Sequence, residues 1–429
     1  MKIGLYLQTS ELYGHRLKFK RAVKSVRSSD IDILVFPEYS YVPFVKKYHS
    51  ADLRDETQKK ALEDAVLKLS RDTGKAVVVC NEDKYGLIMS VYANAYAKGN
   101  ETTIKSYIKH TMTLKSAFDI ENYSDYAENA FRPVIYKDHR IGLTVCYDCN
   151  HSLFSRKYVI NGADIIINST GGNVVYDKWY KYNKVRAIEN MCFNFVTMGG
   201  DSSKNNNYVF GFSPSGKELQ PTGLNGEYIS ENNMPGQIYV YNTADYDGSS
   251  EIEKSADQNE TLNKNADFSI PISSFDKIAD NANFLTENIL VFPHEGKNVV
   301  MLMISAEDIY SPENVLKLLY ADELKTITDK RYLIVNRWDK VADQEYRTKL
   351  SIVLKVRAME NYCAVILLSK NINKCFQCGK SRTAQIVRAE NDQFNIDHTR
   401  TSGPEAIWRN KNGMRASWRR NAEELIRSL

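Results

Sequence analysis

The stretch R-I-G-L-T-V-C-Y-D-C-N, Arg140–Asn150, runs through apolar and β-branched residues and stops on a thiol, Cys146, followed by Tyr147 and Asp148. Such a run predicts a buried strand. In layered α/β folds, functional side chains gather where strands end. Two more runs end on polar residues: I-L-V-F-P-E closes on Glu38, and I-K-S-Y-I-K closes on Lys109. A thiol needs a base before it becomes a nucleophile. A carboxylate supplies one, and a lysine cation stabilises both the thiolate and the oxyanion formed by its attack. Glu38, Lys109 and Cys146 therefore form a candidate acyl-transfer set. Taken singly each signal is weak, since a cysteine at a strand end is more often core.

The surrounding pattern is α/β. K-I-G-L-Y-L, A-V-V-V-C, G-A-D-I-I-I-N-S-T, C-F-N-F-V-T-M-G-G and G-Q-I-Y-V-Y-N-T read as strands, and G-L-I-M-S-V-Y-A-N-A-Y-A with T-T-I-K-S-Y-I-K-H as a pair. His15–Ser28 is amphipathic and basic. Asp55–Thr73 carries Leu62, Ala65, Val66 and Leu69 at helical spacing, and Trp179–Asn190 completes the helices. From Asp245 to Ala266 the chain turns polar and acidic, which predicts a linker or a long surface loop. The expected organisation is a domain at 1–245, a polar linker at 246–283 and a second domain at 284–429.

The ordered motifs F-P-E-Y-S, Y-I-K-H, I-G-L-T-V-C-Y-D, G-A-D-I-I-I-N-S-T and R-A-I-E-N are similar to those of the nitrilase, or carbon–nitrogen hydrolase, superfamily. The resemblance covers about residues 1–245. It implies an α-β-β-α sandwich and hydrolysis of amides or nitriles through a cysteine thioester, without metal or organic cofactor. It also implies oligomers. Carried over, Glu38 is the general base, Lys109 stabilises the tetrahedral intermediate, and Cys146 is the nucleophile. The Tyr147 backbone N–H helps form the oxyanion hole. Lys115, in T-L-K-S-A-F-D, is the rival lysine. A second glutamate often follows the lysine in the family; Glu121 is the candidate, with Asp119 behind it. The segment A-F-D-I-E-N resembles a stretch of the glutaminase domains of NAD synthetases, which keeps Lys109 in register.

Departures from the family pattern fall on the pocket. Asp148 and Arg156 keep their places, but His151-Ser152-Leu153 replaces Phe-Pro-Glu. Asn168-Ser169-Thr170 replaces a usual proline after G-A-D-I-I-I, so Asn168 becomes a substrate-binding candidate, with His151 and Trp179 as further pocket candidates. Arg186 and Glu189, three apart on a helix, are expected to make structural polar contacts.

The phrase K-V-R-A-I-E-N-M-C at Lys184–Cys192 returns as K-V-R-A-M-E-N-Y-C at Lys355–Cys363. Aligned on it, Ser305 falls opposite Cys146, Glu307 opposite Asp148 and Asn336 opposite Asn168. Residues from about Asn288 to Arg388 therefore read as a degenerate copy of the C-terminal half of the first domain. With serine at the nucleophile position and no glutamate or lysine half before it, this copy is expected to be inert. Half a sandwich exposes an apolar sheet face that something must cover. The first domain is the favoured cover, with a second chain or another protein as alternatives.

Bulk numbers bound the rest. Hydrophobic residues at 43%, charged residues at 26% and a net charge of +4 are ordinary for a globular protein and call for neither nucleic acid nor membrane. No segment reaches the ~18 continuous apolar residues of a membrane span. Seven scattered cysteines suit reduced thiols and a cytoplasmic protein, and C-F-Q-C at Cys375–Cys378 lacks the second pair that zinc needs. Trp408–Arg420 is basic and aromatic and reads as a solvated tail or partner helix. The leading expectation is an amidase-type hydrolase. The alternative is a nitrilase-like scaffold or sensing component of a larger assembly, of the kind found in anti-phage defence.

Overall fold

The computed structural model describes residues 1–9, 16–38, 51–96, 102–171, 174–200, 209–229, 236–249, 260–261, 268–271, 283–379, 382–410, 413–414 and 416–429. Two compact units divide the chain at Ser249/Ser250. Most of the stretch read as a linker lies outside the described residues.

The first unit contains β1 (Lys2–Tyr6), α1 (Arg16–Arg27), β2 (Ile33–Val35), α2 (Glu56–Thr73), β3 (Ala76–Glu82), β4 (Ile88–Asn94) and β5 (Thr103–Ile108). It continues with α3 (Tyr123–Ala130), β6 (Val134–Tyr136), β7 (His139–Val145), α4 (Ser152–Ile160), β8 (Ile165–Thr170), α5 (Tyr176–Asn190), β9 (Phe193–Gly200), β10 (Phe210–Phe212) and β11 (Ile238–Asn242). One sheet runs β11-β1-β2-β3-β4-β5 and carries α2 on its outer face. The other runs β10-β9-β8-β7-β6 and carries α4 and α5. Residues of β4 and β5 approach β7, and β1 approaches β9, so the two sheets face each other as an α-β-β-α sandwich.

Local chemistry explains the elements. Helix α2 starts where the Asp55 carboxylate accepts the Gln58 N–H at 3.0 Å, and stops at Gly74, whose φ of 70° is the left-handed conformation that closes helices. Its buried stripe is Leu62, Val66, Leu69 and Thr73, at the spacing that puts them on one face. On β7, a side chain at Gly142 would place its Cβ 2.6 Å from Tyr158 Cγ. The glycine thus lets α4 close onto the strand that ends at Cys146. Asp83 holds the β3–β4 turn by accepting the N–H groups of Leu53, Tyr85 and Leu87 at 2.8–3.0 Å.

The second unit contains β12 (Phe268–Pro271), β13 (Asn283–Thr286), β14 (Ile289–His294), β15 (Lys297–Ser305), α6 (Pro312–Leu319), β16 (Lys330–Arg337) and α7 (Ser351–Asn361). These are followed by β17 (Ala364–Leu368), β18 (Asn373–Cys378), β19 (Ala384–Val387), β20 (Gln393–Ile396) and α8 (Ala416–Arg427). Its large sheet runs β19-β18-β17-β16-β15-β14-β13, extended beyond β19 by Glu260–Thr261. From β6 to β10 the successive pairings are antiparallel, parallel, parallel and antiparallel; from β14 to β18 they are the same.

The shared nonapeptide also folds alike. The Arg186–Glu189 pair at 2.8 Å matches Arg357–Glu360 at 2.5 Å, all four side chains being buried. The Asn190 amide donates to Arg186 O and the Asn361 amide to Arg357 O, at 2.9 and 3.0 Å. Met191 and Tyr362 close their helices at φ 48° and 49°.

Three expectations are corrected here. The apolar sheet face of the second unit is covered by that unit's own small sheet: Ile270 of β12 with Phe394 and Ile396 of β20 pack on Leu290, Val299, Met301, Leu333 and Ile366. Strand β12 therefore lies inside the stretch read as a linker. The basic C-terminal segment is no solvated tail. It continues into α8, which buries Trp418, Ala422, Leu425 and Ile426 and packs against α6. No helix among the described residues is long and apolar enough to cross a membrane.

Candidate active site

Glu38, Lys109 and Cys146 arrive from three strand ends. Glu38 follows β2, Lys109 follows β5, and Cys146 follows β7. The Lys109 Nζ donates to Glu38 Oε1 at 2.8 Å, and both side chains are almost fully buried. Glu38 Oε2 accepts the Gly171 N–H at 2.9 Å. The same carboxylate and the Gly171 N–H are the groups beside the Cys146 thiol that act on its proton, the first holding it and the second favouring its loss. Lys115 is the rival lysine by sequence. The structure places it beside Leu87, its backbone N–H on Gly86 O, away from the Glu38 carboxylate that Lys109 occupies.

Electrostatics follow from that packing. Burial pushes the Cys146 thiol pKa well up, and the Glu38 carboxylate pushes the same way against the Lys109 cation. The resting thiol is therefore protonated, with a carboxylate positioned to accept its proton. Burial alone would lower the Lys109 pKa, but its negatively charged surroundings, with the Glu38 carboxylate bonded to it, outweigh that, and the ammonium stays charged. Cys146 is the one cysteine of the seven that keeps partial exposure to solvent, the other six being buried. Its backbone, at φ 47°, is in the left-handed region that non-glycine residues rarely adopt, a mark of a constrained functional turn. The Tyr147 N–H follows directly in the 3₁₀ turn Cys146–Asn150, and its ring packs 5.8 Å from Trp179.

Asp148 is the residue whose importance the motif did not reveal. Its Oδ1 accepts from the Thr111 hydroxyl at 2.6 Å and from the Thr111 and His110 N–H groups at 3.1 and 3.2 Å. Its Oδ2 accepts from the Tyr107 hydroxyl at 3.0 Å and the Val145 N–H at 3.3 Å. One carboxylate thus ties the segment behind Lys109 to the turn that presents Cys146. His110 is fully buried, its two ring nitrogens on the hydroxyls of Tyr107 and Tyr123 at 2.9 and 3.0 Å. Burial pulls its pKa down to about 3, so it is neutral and serves as part of the frame.

Burial raises the Asp148 pKa to about 6, against the hydrogen bonds that lower it. A raised carboxyl takes up a proton on folding, so its contribution to stability is largest below pH ~4 and is lost as pH rises past about 6. Relative to Asp148→Asn, the wild type is expected to lose up to about 3 kcal/mol between pH 4 and 6.5, from about two pKa units at 1.36 kcal/mol each. Urea midpoints of both proteins across that range check it.

The remaining predicted residues divide. Asn168 is buried behind the nucleophile: its amide donates to Thr144 Oγ1 at 3.0 Å and Cys146 O at 3.4 Å, and its Oδ1 accepts from the Thr170 hydroxyl. Its polar atoms are engaged in positioning Cys146. Asn336 repeats this in the second unit, donating to Ser305 O at 2.6 Å. Glu121 lies exposed in the turn before α3 and does not join the buried cluster. Arg156 holds the end of α5 through Glu189 O and the Asn190 side chain. His151 and Trp179 are buried near Tyr147. No cluster suited to a metal occurs among the described residues.

A sandwich whose strand ends converge a buried glutamate, a lysine and a reachable cysteine defines a class of protein, the cysteine hydrolases of carbon–nitrogen bonds. Residues 7–215 match the family model described as carbon-nitrogen hydrolase. Nearly all of the first unit thus falls within this family, the nitrilase superfamily. Among solved structures, an amidase from Nesterenkonia sp. is 18% identical and matches over 58% of this chain and 94% of its own, with a TM-score of 0.39. A carbon-nitrogen hydrolase from Helicobacter pylori G27 is 15% identical over 56% of this chain and 88% of its own, with a TM-score of 0.38. No curated protein matches the chain.

Proposed function

We propose that the first unit is an amidase, hydrolysing a small amide through a cysteinyl thioester. The observation that carries this reading is the Glu38 carboxylate, which takes the Lys109 ammonium on one oxygen and the Gly171 N–H on the other while facing the Cys146 thiol. In this mechanism the sulfur attacks the amide carbon as the thiol proton passes to Glu38. The oxyanion forms against the Lys109 ammonium and the Tyr147 N–H. The C–N bond then breaks, the leaving nitrogen takes the proton from Glu38, and ammonia or an amine departs. Glu38 next removes a proton from water, which attacks the thioester carbon. The C–S bond breaks and the thiol is restored, so Glu38 alternates between base and acid. A nitrile would enter by the same attack on carbon.

The test is a panel of small amides and nitriles assayed for ammonia release, with intact-mass detection of the acyl-enzyme. The expected result is turnover of an amide and an adduct on Cys146. Turnover without any Cys146 adduct in rapid-quench samples, or turnover retained by Cys146→Ala, would overturn the mechanism.

We also propose that the second unit is a degenerate duplicate of the sheet half that carries Cys146. Its support is the matched series of strand pairings, the equivalent Arg–Glu pairs and the equivalent Asn168 and Asn336 bonds. At the nucleophile's position Ser305 donates to Asp308 Oδ2 at 2.7 Å, and no Glu–Lys pair faces it among the described contacts. An assembly role for this unit, through a second copy of the chain or another protein, fits a copy without a triad. The free thiols suit the cytoplasm.

A further inference from the structure

The site needs a second carboxylate wherever a substrate's donor or cationic end must be recognised, and Glu121 does not reach it. Glu82 does. It is the last residue of β3, paired with Ile88 of β4. On the other side of Ile88, its carbonyl accepts the Lys109 N–H at 2.8 Å, and the register Met89↔Ile108 continues to Ile88 and Lys109. Directly opposed residues in antiparallel strands project from the same face. Glu82, Ile88 and Lys109 therefore form one row across the sheet, with Glu82 two strands, or roughly 10 Å, from Lys109.

Cys80 supports the same facing independently. It lies two residues before Glu82, hence on the same face. Its electrostatic neighbours are Glu38, Lys109, Cys146 and Asp148. Glu82 in turn feels Glu38 and Lys109 after its own partial burial. The neighbouring Asp83 is consumed by the backbone N–H groups of Tyr85 and Leu87 in the turn and of Leu53. Glu82 is half-buried and makes no hydrogen bond or ion pair among the described residues. A half-buried carboxylate left without a partner beside a buried ion pair is what a ligand contact requires.

We propose that Glu82 is a specificity-determining carboxylate of the active site, which draws substrates bearing a cationic or N–H-donating group and rejects those bearing a carboxylate. This rests on the hydrolase reading of Cys146. Two carboxylates, Glu38 and Glu82, then face the single ammonium of Lys109, so the site carries an excess of negative charge. Lys178, a further buried cation near the Cys146 turn, sits over the rings of Tyr147, Trp179 and Tyr182.

The test uses three thiol reagents of similar size: 2-bromoethylammonium, iodoacetamide and iodoacetate. Their labelling rates at Cys146 are read by peptide mass spectrometry in wild type, Glu82→Gln and Glu82→Asp, each normalised to iodoacetamide. The expected result is a ratio of cationic to anionic labelling that falls about tenfold in Glu82→Gln and is largely restored in Glu82→Asp. A role confined to folding would move all three reagents together and leave the ratio alone. Cys146 labelled in every variant with the ratio unchanged within twofold would overturn this inference and leave the hydrolase reading intact. Cys146 labelled by none of the reagents in wild type would overturn both.

Discussion

Cys146→Ala is expected to lower amide hydrolysis by about 10⁵-fold or more, to the level of reaction without a covalent intermediate. No other sulfur can take over. Cys149, three residues on, is buried, and burial pushes its thiol up to about 12. Cys80 faces the triad, but burial raises its pKa well above the ordinary range and no solvent reaches it. The variant should keep its fold, because Cys146 is the one partly exposed cysteine and its turn is held by Asp148 and Asn168 through backbone atoms. Full loss of ammonia release with an unchanged circular dichroism spectrum and urea midpoint is the predicted result. The same comparison separates enzyme from scaffold, since a scaffold would keep its function without the thiol.

Lys109→Ala is the second large effect and has two parts. It removes an oxyanion donor, worth about 10²–10³ in rate where such donors have been deleted. It also leaves Glu38 buried without its cation, which costs about 3–5 kcal/mol where one partner of a buried pair is removed. The fall in rate and the fall in stability should therefore come together. Lys115→Ala should show neither, since Lys115 is half-buried beside Leu87 and apart from the carboxylate. Measured kcat/KM and urea midpoints for the two variants check this.

Much of this was legible from residues alone. Alternation and apolar runs marked the strands, and the three strand-end residues Glu38, Lys109 and Cys146 converge because parallel and antiparallel neighbours end at one edge of two facing sheets. The choice between Lys109 and Lys115 was not legible, because both follow β5 and only the pairing of Lys115 beside Leu87 turns it away. Glu121 misled because closeness in sequence stood in for closeness in space. The chain instead turns out at Asn122, which takes φ 56° and starts α3. Glu82 had a signal that went unread: in A-V-V-V-C-N-E it shares the face of Cys80. Asp148 was recognised as a family position, but its donors come from two segments, Tyr107–Thr111 and Val145, that only the fold brings together. Strand β12 was hidden because four residues, F-S-I-P, sit inside a polar stretch and gain their partners from β20, more than a hundred residues later.

The central claim is that Glu38, Lys109 and Cys146 work as one unit. The measurement that tests it most directly is the alkylation rate of each cysteine by iodoacetamide under native conditions, in wild type, Glu38→Gln, Lys109→Ala and Lys115→Ala. The account predicts that Cys146 reacts far ahead of the six buried thiols, that Glu38→Gln and Lys109→Ala each slow it by about tenfold or more, and that Lys115→Ala matches wild type. Cys146 reacting no faster than the buried cysteines, or slowing with Lys115→Ala while Lys109→Ala leaves it unchanged, would contradict it.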